Sequence, residues 1–250
     1  MDVNGLISAA SQFFNENKYA EAIEKLHQAW DGITDKSTQI SEQREIQAGL
    51  GRCYFEQAMK AKDTDEADKL FGKAIEHYRE WLRLVKTDGQ NNADGQNNIL
   101  QISAQSWLGR CYYEQAIKTK DTDKADELFG KAVKHYQEWS RLAKTDGQNS
   151  IQEQINAQSW LGRCYLEQAR KTKDTDKAGE PFELAVENYQ KWLQLAKQLT
   201  DEQGSVQQQI NAQSWLGHCY FERIKRIKST PEAENLLRRL ANIFLLLSDK

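Results

Sequence analysis

Apolar residues along this chain recur at three- and four-residue steps. The stretch DKADELFGKAVKHYQEWSRLAK (123–144) shows the pattern plainly. Ala125, Leu128, Phe129, Ala132, Val133, Tyr136, Trp139 and Ala143 fall on one stripe of a helix, and charged or amide side chains fill the rest. A second kind of segment, INAQSWLGRCYLEQARKTK (155–173), alternates with the first along the chain. Neither stretch contains proline or the two-residue alternation of a strand. Between them lies KTKDTD (118–123, nearly repeated at 171–176). Lysines suit the negative end of the first helix, and Asp and Thr can cap the free N–H groups of the second. The pattern therefore predicts helix–turn–helix units. Polar loops separate them: TDGQNNADGQNN (87–98), TDGQNS (145–150) and TDEQGS (200–205). The first loop holds DGQNN twice, a duplication that loop-closure entropy tolerates and to which no function attaches.

The units repeat almost letter for letter. QSWLGRCY stands at 105–112 and 158–165, QSWLGHCY at 213–220 and the weaker QAGLGRCY at 47–54. The cysteines Cys53, Cys111, Cys164 and Cys219 mark a period of 53–58 residues. A period of that length in helix-forming text means an array of stacked layers. Composition agrees: only two of 250 residues are proline, and the chain is rich in Gln, Lys, Ala, Glu and Leu. The formal net charge is -3, with acidic and basic residues intermixed. That argues against nucleic acid as a partner, which would call for a basic stripe. The longest apolar run, IFLLL (243–247), is too short to cross a bilayer, and the first residues carry no secretory pattern. The expectation is a cytoplasmic protein with no membrane contact.

The repeated chemistry-bearing residues read first as packing groups. One cysteine per unit, in layers about 8–10 Å apart, cannot form disulfides. No CxxC pair or histidine at ligand spacing points to a metal, so the thiols are expected to be reduced core residues, with no metal and no cofactor. His77 and His135 are copies of one position that holds Asn188 in the next unit, which speaks against a catalytic base. No nucleophile–base constellation stands out, and an enzyme is not expected. Trp107, Trp160 and Trp215 are equivalent, as are Trp81, Trp139 and Trp192; both sets are expected to pack between layers.

The spacing Leu108-Gly109-x2-Tyr112, followed by Ala125-x3-Phe129-x2-Ala132, resembles the tetratricopeptide repeat. The same pattern runs through Gly51, Ala67, Phe71 and Ala74, and through Gly162, Ala178, Phe182 and Ala185. From Gly to the first Ala is 16 residues in these copies, against 12 in the leading unit (Ala10 to Ala22). The later units are thus elongated by about one helical turn. The resemblance implies an all-α, right-handed α-solenoid of five antiparallel helix pairs, a single domain over 1–250 with units near 5–36, 40–88, 99–146, 150–199 and 205–248.

By the same resemblance, first helices line a concave groove that holds partner segments. The residues assigned to it are Arg52, Phe55 and Glu56; Ser106, Arg110, Tyr113 and Glu114; Ser159, Arg163 and Glu167; and Ser214, His218 and Phe221. Arginines with aromatics suit a protein or peptide partner carrying acidic groups. Alternatively, Arg and Glu four residues apart neutralise each other on the helix. The family's carboxylate clamp for chaperone tails uses Asn and Lys, whereas the corresponding places here hold Arg52, Gly49, Trp107 and Ser103. A second site is expected at the last helix. If Gly217–Ala233 keeps the 16-residue spacing, Leu237, Leu240, Phe244 and Leu247 face inward. Ile243, Leu245 and Leu246 are then left as an apolar interface for a partner or a homodimer. The function expected is a non-enzymatic protein–protein interaction scaffold; the alternative is a structural protein that dimerises through its C-terminal helix with no groove ligand.

Overall fold

In the computed structural model, the chain is described at residues 2–35, 37–89, 95–145, 150–227 and 230–248, without the side chains of 88–89, 95–96, 175–176, 230 and 244–248. Residues 90–94 and 146–149 of the first two polar loops, and the side chains of Phe244, Leu245, Leu246 and Leu247, lie outside that description. The described residues form helices and no strand, as the three- and four-residue periods predict. The architecture is that of stacked helix pairs, an α-solenoid.

Two compact units divide the chain, Met1–Thr119 and Lys120–Lys250. The first holds α1 (Val3–Asn15), α2 (Tyr19–Asp31), α3 (Ile40–Lys60), α4 (Thr64–Gly89) and α5 (Gly95–Lys118). Each packs on the next in sequence, and α3 also touches α1 and α5. The second unit holds α6 (Thr122–Ala143), α7 (Ser150–Lys171), α8 (Thr175–Ala196), α9 (Glu202–Ile224) and α10 (Thr230–Ser248). Here too neighbours in sequence are neighbours in space, and α7 also meets α9. Helices α1 and α2 have 13 residues each, whereas α3 to α9 have 21 to 26. The extra residues lengthen the helices, and the turn between α7 and α8 remains three residues, 172–174.

The turns are capped as the sequence indicates. Asp63 accepts from the N–H of Glu66, and Asp121 from those of Asp123 and Lys124. The basic residues behave differently from the expectation. Lys118 donates to the carbonyls of Met59 (3.0 Å) and Ala61 (3.1 Å), at the end of α3. Arg226 donates to Ala169 and Arg170 at the end of α7. Each cation serves the C-terminus of the preceding first helix, tying one layer to the next by charge-assisted bonds. Pro181 lies inside α8, in a copy of the second-helix segment, and the helix runs through it.

The stripe on α6 is buried as patterned: all eight of its residues from Ala125 to Ala143 are inside. Between layers, three aromatic stacks recur. Tyr78 lies on Trp107 at 5.5 Å and 15°, Tyr136 on Trp160 at 5.6 Å and 21°, and Tyr189 on Trp215 at 5.8 Å and 23°. Each joins a second helix to the first helix of the following layer. The other face of the tyrosine rests on a glycine of its own pair. A methyl group on Gly51 would come within 2.7 Å of the Tyr78 ring, and Gly162 meets Tyr189 the same way. The second tryptophan set closes the stack: Trp139 Nε1 donates to Glu153 (2.8 Å) and Trp192 Nε1 to Gln208 (3.0 Å).

At α10 the register differs from the expectation. Leu236 and Ile243 are buried, whereas Leu237 is 51% exposed. Spacing between small residues counts positions along the chain but does not set helix rotation. Leu236, Leu240 and Ile243, at steps of four and three, make the stripe that meets α9, with Leu240 and Ile243 nearest Gly217. Ile243 is therefore a core residue here, not part of an exposed patch.

Two glycines give opposite expectations. Gly51→Ala should lower stability by about 1–3 kcal/mol, because the Tyr78 ring is held on its far side by Trp107. Gly130→Ala, with nothing within 4 Å, should raise it by about 0.5–1 kcal/mol through helix propensity. Urea unfolding midpoints read both, and the Gly51→Ala loss should shrink in a Tyr78→Leu background.

Candidate functional site

The first-helix face is built on the inter-layer stacks. Each tryptophan of the repeated octet is followed three residues later by Arg110, Arg163 or His218, one turn along the same side of the helix. The Arg163 guanidinium lies over two indoles, Trp160 at 5.0 Å and Trp215 at 4.7 Å. Arg110 lies over Trp107 (5.4 Å) and Phe55 (5.0 Å), and Arg52 over Phe14 (4.5 Å). His218 meets Trp215 edge-on at 5.8 Å. Cation–π contact of this kind is worth about 0.5–2 kcal/mol and fixes the plane of the guanidinium.

On α7 and α9 the glutamates of the row are bound by cations other than the residue four positions before them. Glu167 is bound by Arg170 at 2.7 Å, and Glu222 by Lys225 at 2.8 Å. Arg163 is committed to the two tryptophans and not to the glutamate four residues on. Arg110 and Arg163 are half-buried, and their Nε atoms are buried without a hydrogen-bond partner among the described residues. Arg52 is exposed.

The remaining assigned residues divide. Ser106 and Ser159 are half-buried and donate to the carbonyls of Ser103 and Asn156, each at 2.8 Å; Ser214 is exposed. Glu56, Tyr113, Glu114 and Glu167 are half-buried on the same helices. Phe55 is a correction. It is 1% exposed, lying edge-on to Trp107 at 5.5 Å and to Phe71 at 5.9 Å. Its position directly after the octet faces the next layer, so it forms the floor under Arg110 and does not line a groove. Leu166, in the same position, is fully buried, whereas Phe221 is 49% exposed. Phe221, His218 and Gln213 with Gly217, Leu240 and Ile243 border a cavity of about 490 Å³ between α9 and α10.

Sequence spacing did not reveal which tryptophan faces hold the arginines. The i, i+3 step from Trp to Arg was the available signal.

The cysteines and His77 lie apart from the arginine–tryptophan contacts of this face. All four thiols are buried and free. Burial pushes Cys53 and Cys219 up to about 12, and raises Cys111 and Cys164 as well. Cys219 points at the Phe182 carbonyl, 3.7 Å away. No group of three His, Cys, Asp or Glu among the described residues could hold a metal ion. His77 stacks on Tyr54 at 5.4 Å, and its Nδ1 lies 2.8 Å from Gln47 Oε1, so the Nδ1–H tautomer donates there. No described helix is long and apolar enough to cross a membrane.

Repeated helix pairs joined by tyrosine–tryptophan stacks define an α-helical repeat protein. The tetratricopeptide-repeat family model matches residues 49–80 and 103–138, in the register of Gly51 and Gly109. Solved structures agree on the fold. A Podosopora anserina protein assigned as a kinesin light chain, with nearly identical TPR-like repeats, is similar at a TM-score of 0.51 and 18% identity, over 99% of this chain and 97% of that one. BtubC (BKLC) from P. vanneervenii is similar at a TM-score of 0.50 and 16% identity, over 98% of this chain and 80% of that one. Comparison with curated proteins gave no match.

Two solution measurements follow from the buried groups. Burial lowers the pKa of His77 to about 4, with His27 and Lys73 adding to the effect. The unfolded chain takes up this proton near pH 6.5 and the folded chain near 4, so stability is full above pH 6.5 and declines as pH falls toward 4. His77→Asn should flatten that part of the pH profile of the urea midpoint. N-ethylmaleimide at pH 7.5 should label none of the four thiols in the folded protein, and all four in urea, as counted by mass spectrometry.

Proposed function

We propose that this chain is a non-enzymatic interaction scaffold whose first-helix face binds an extended partner segment bearing acidic groups. The observation that carries the reading is the clamping of Arg163 between Trp160 and Trp215, with the Arg110 guanidinium held over Trp107 and Phe55. A guanidinium held over aromatic rings has lost much of its rotamer freedom beforehand, so ordering it against a carboxylate costs less. The nearest acidic residues support this. Glu167 is drawn off by Arg170, so the charge of Arg163 is not spent on its own helix.

The partner would be read through carboxylates and backbone polar groups along a strand-like segment. Within each unit, layers about 10 Å apart would meet an extended peptide at about every third residue. The chemistry at this face is binding alone. The described side chains place no activated nucleophile there, and the cysteine thiols are buried with raised pKa values.

Selection of random peptides on the full chain, followed by fluorescence anisotropy, tests this reading. Recovered sequences should carry Asp or Glu at three-residue intervals. Their binding should fall at least about tenfold in Arg110→Gln/Arg163→Gln and weaken with added salt. Glutamine keeps much of the side-chain bulk over the indoles, so the fold should survive, as circular dichroism will report. Equal binding by the double variant rejects the face.

A further inference from the structure

The cavity between α9 and α10 is bordered by Phe221, which directly follows the last octet and is 49% exposed. Its counterpart Phe55 is 1% exposed because α5 covers it: Trp107 lies edge-on to the ring at 5.5 Å and the Arg110 guanidinium lies over it at 5.0 Å. Leu166 is fully buried in the core that α9 joins. Phe221, at 49% exposure, has no such helix on it among the described residues; Lys225 Nζ sits over its ring at 5.1 Å. Beside it, Leu240 and Ile243 lie over Gly217 where Tyr78 lies over Gly51. The seat thus has a half-exposed aromatic ring, an apolar floor and a volume of about 490 Å³.

We propose that this seat docks one amphipathic α-helix of a partner protein, carrying a tryptophan and, three residues on, an arginine. The inner layers supply the argument. The surface that presents Phe55 and Tyr78 is covered in this protein by a helix of that pattern, Trp107 and Arg110. The partner's tryptophan meets Phe221 edge-on and lies against Leu240 and Ile243. Its arginine takes the cation position over Phe221 that Lys225 now holds. This is helix-in-groove recognition reusing the repeat's own interface.

A second copy of the chain fits less well. Aligning Ala10 with Gly109 puts Ser8 and Ser11 on α1 where Trp107 and Arg110 stand on α5. Both serines are exposed, and Ser11 donates to its own helix at the Ile7 carbonyl. That face offers neither the aromatic nor the cation.

The probe is a synthetic peptide of residues 150–171, stapled to hold its helix at positions away from Trp160 and Arg163, with Cys164→Ser and a fluorescein label. It is titrated into the full chain by fluorescence anisotropy. Saturable binding is expected. It should weaken by about tenfold or more with Phe221→Glu in the protein, and with Trp160→Ala or Arg163→Ala in the peptide. Phe221 is half-exposed, so an unchanged thermal melt should show that Phe221→Glu keeps the fold. Arg110→Gln/Arg163→Gln in the protein should leave this binding intact, which separates the seat from the first-helix face. No binding by the wild type, or equal binding by Phe221→Glu, overturns the proposal. So does a wild-type dimer by light scattering that Phe221→Glu converts to monomer, because the occupant would then be a second copy.

Discussion

The stack of tyrosine on tryptophan between successive layers is the contact on which this structure depends. Tyr78, Tyr136 and Tyr189 are wholly buried, and each lies nearly parallel to the indole of the following first helix. Helices that share only a stripe of alanine and leucine could slide along one another. A large flat ring lodged over a glycine on one side and an indole on the other fixes both distance and register. The glycine is needed because the ring occupies the volume of its missing side chain. The repetition of the octet follows, since a layer between two others offers both a glycine that seats its own tyrosine, as Gly162 seats Tyr189, and a tryptophan that receives the tyrosine before it, as Trp160 receives Tyr136.

The charged face is a consequence of that stack. An indole that meets a tyrosine across the layer still presents edge and face toward the open side of the first helix. A cation three residues on settles there. Arg163 does so between two tryptophans, and Arg110 between Trp107 and Phe55. Desolvation of Nε is offset by the ring quadrupole, while the side chain stays half-buried. The packing that holds the layers together therefore also orders the groups available to a partner. The polar ties between layers act alongside the stack: Lys118 and Arg226 satisfy the carbonyl ends of the preceding first helices.

α9 and α10 show what the stack does when its parts change. His218 replaces the arginine, and Leu240 with Ile243 replaces the tyrosine over the glycine. Aliphatic side chains fill less of the space than a phenol ring, and the cavity beside Phe221 is the result. The aromatic residue that is floor elsewhere is surface here.

The sequence determined the helices, their pairing, the Asp caps and the identity of the core stripe. These depend on local period and on the backbone's own hydrogen-bonding needs, which neighbouring residues state fully. The Trp-x-x-Arg step also stands in the repeated text, at Trp107–Arg110 and Trp160–Arg163, but its meaning came only with the packing. Tertiary structure alone decided which side chains face a partner. Phe55 and Phe221 occupy one position of one motif, yet the first is covered and the second open, because burial belongs to the neighbouring helix and not to the residue. The rotation of α10 was decided in the same way. Leu236 and Leu237 are equally apolar as text, and contact with α9 chose between them. Spacing along a chain counts residues; only the packed partner sets the angle at which they point.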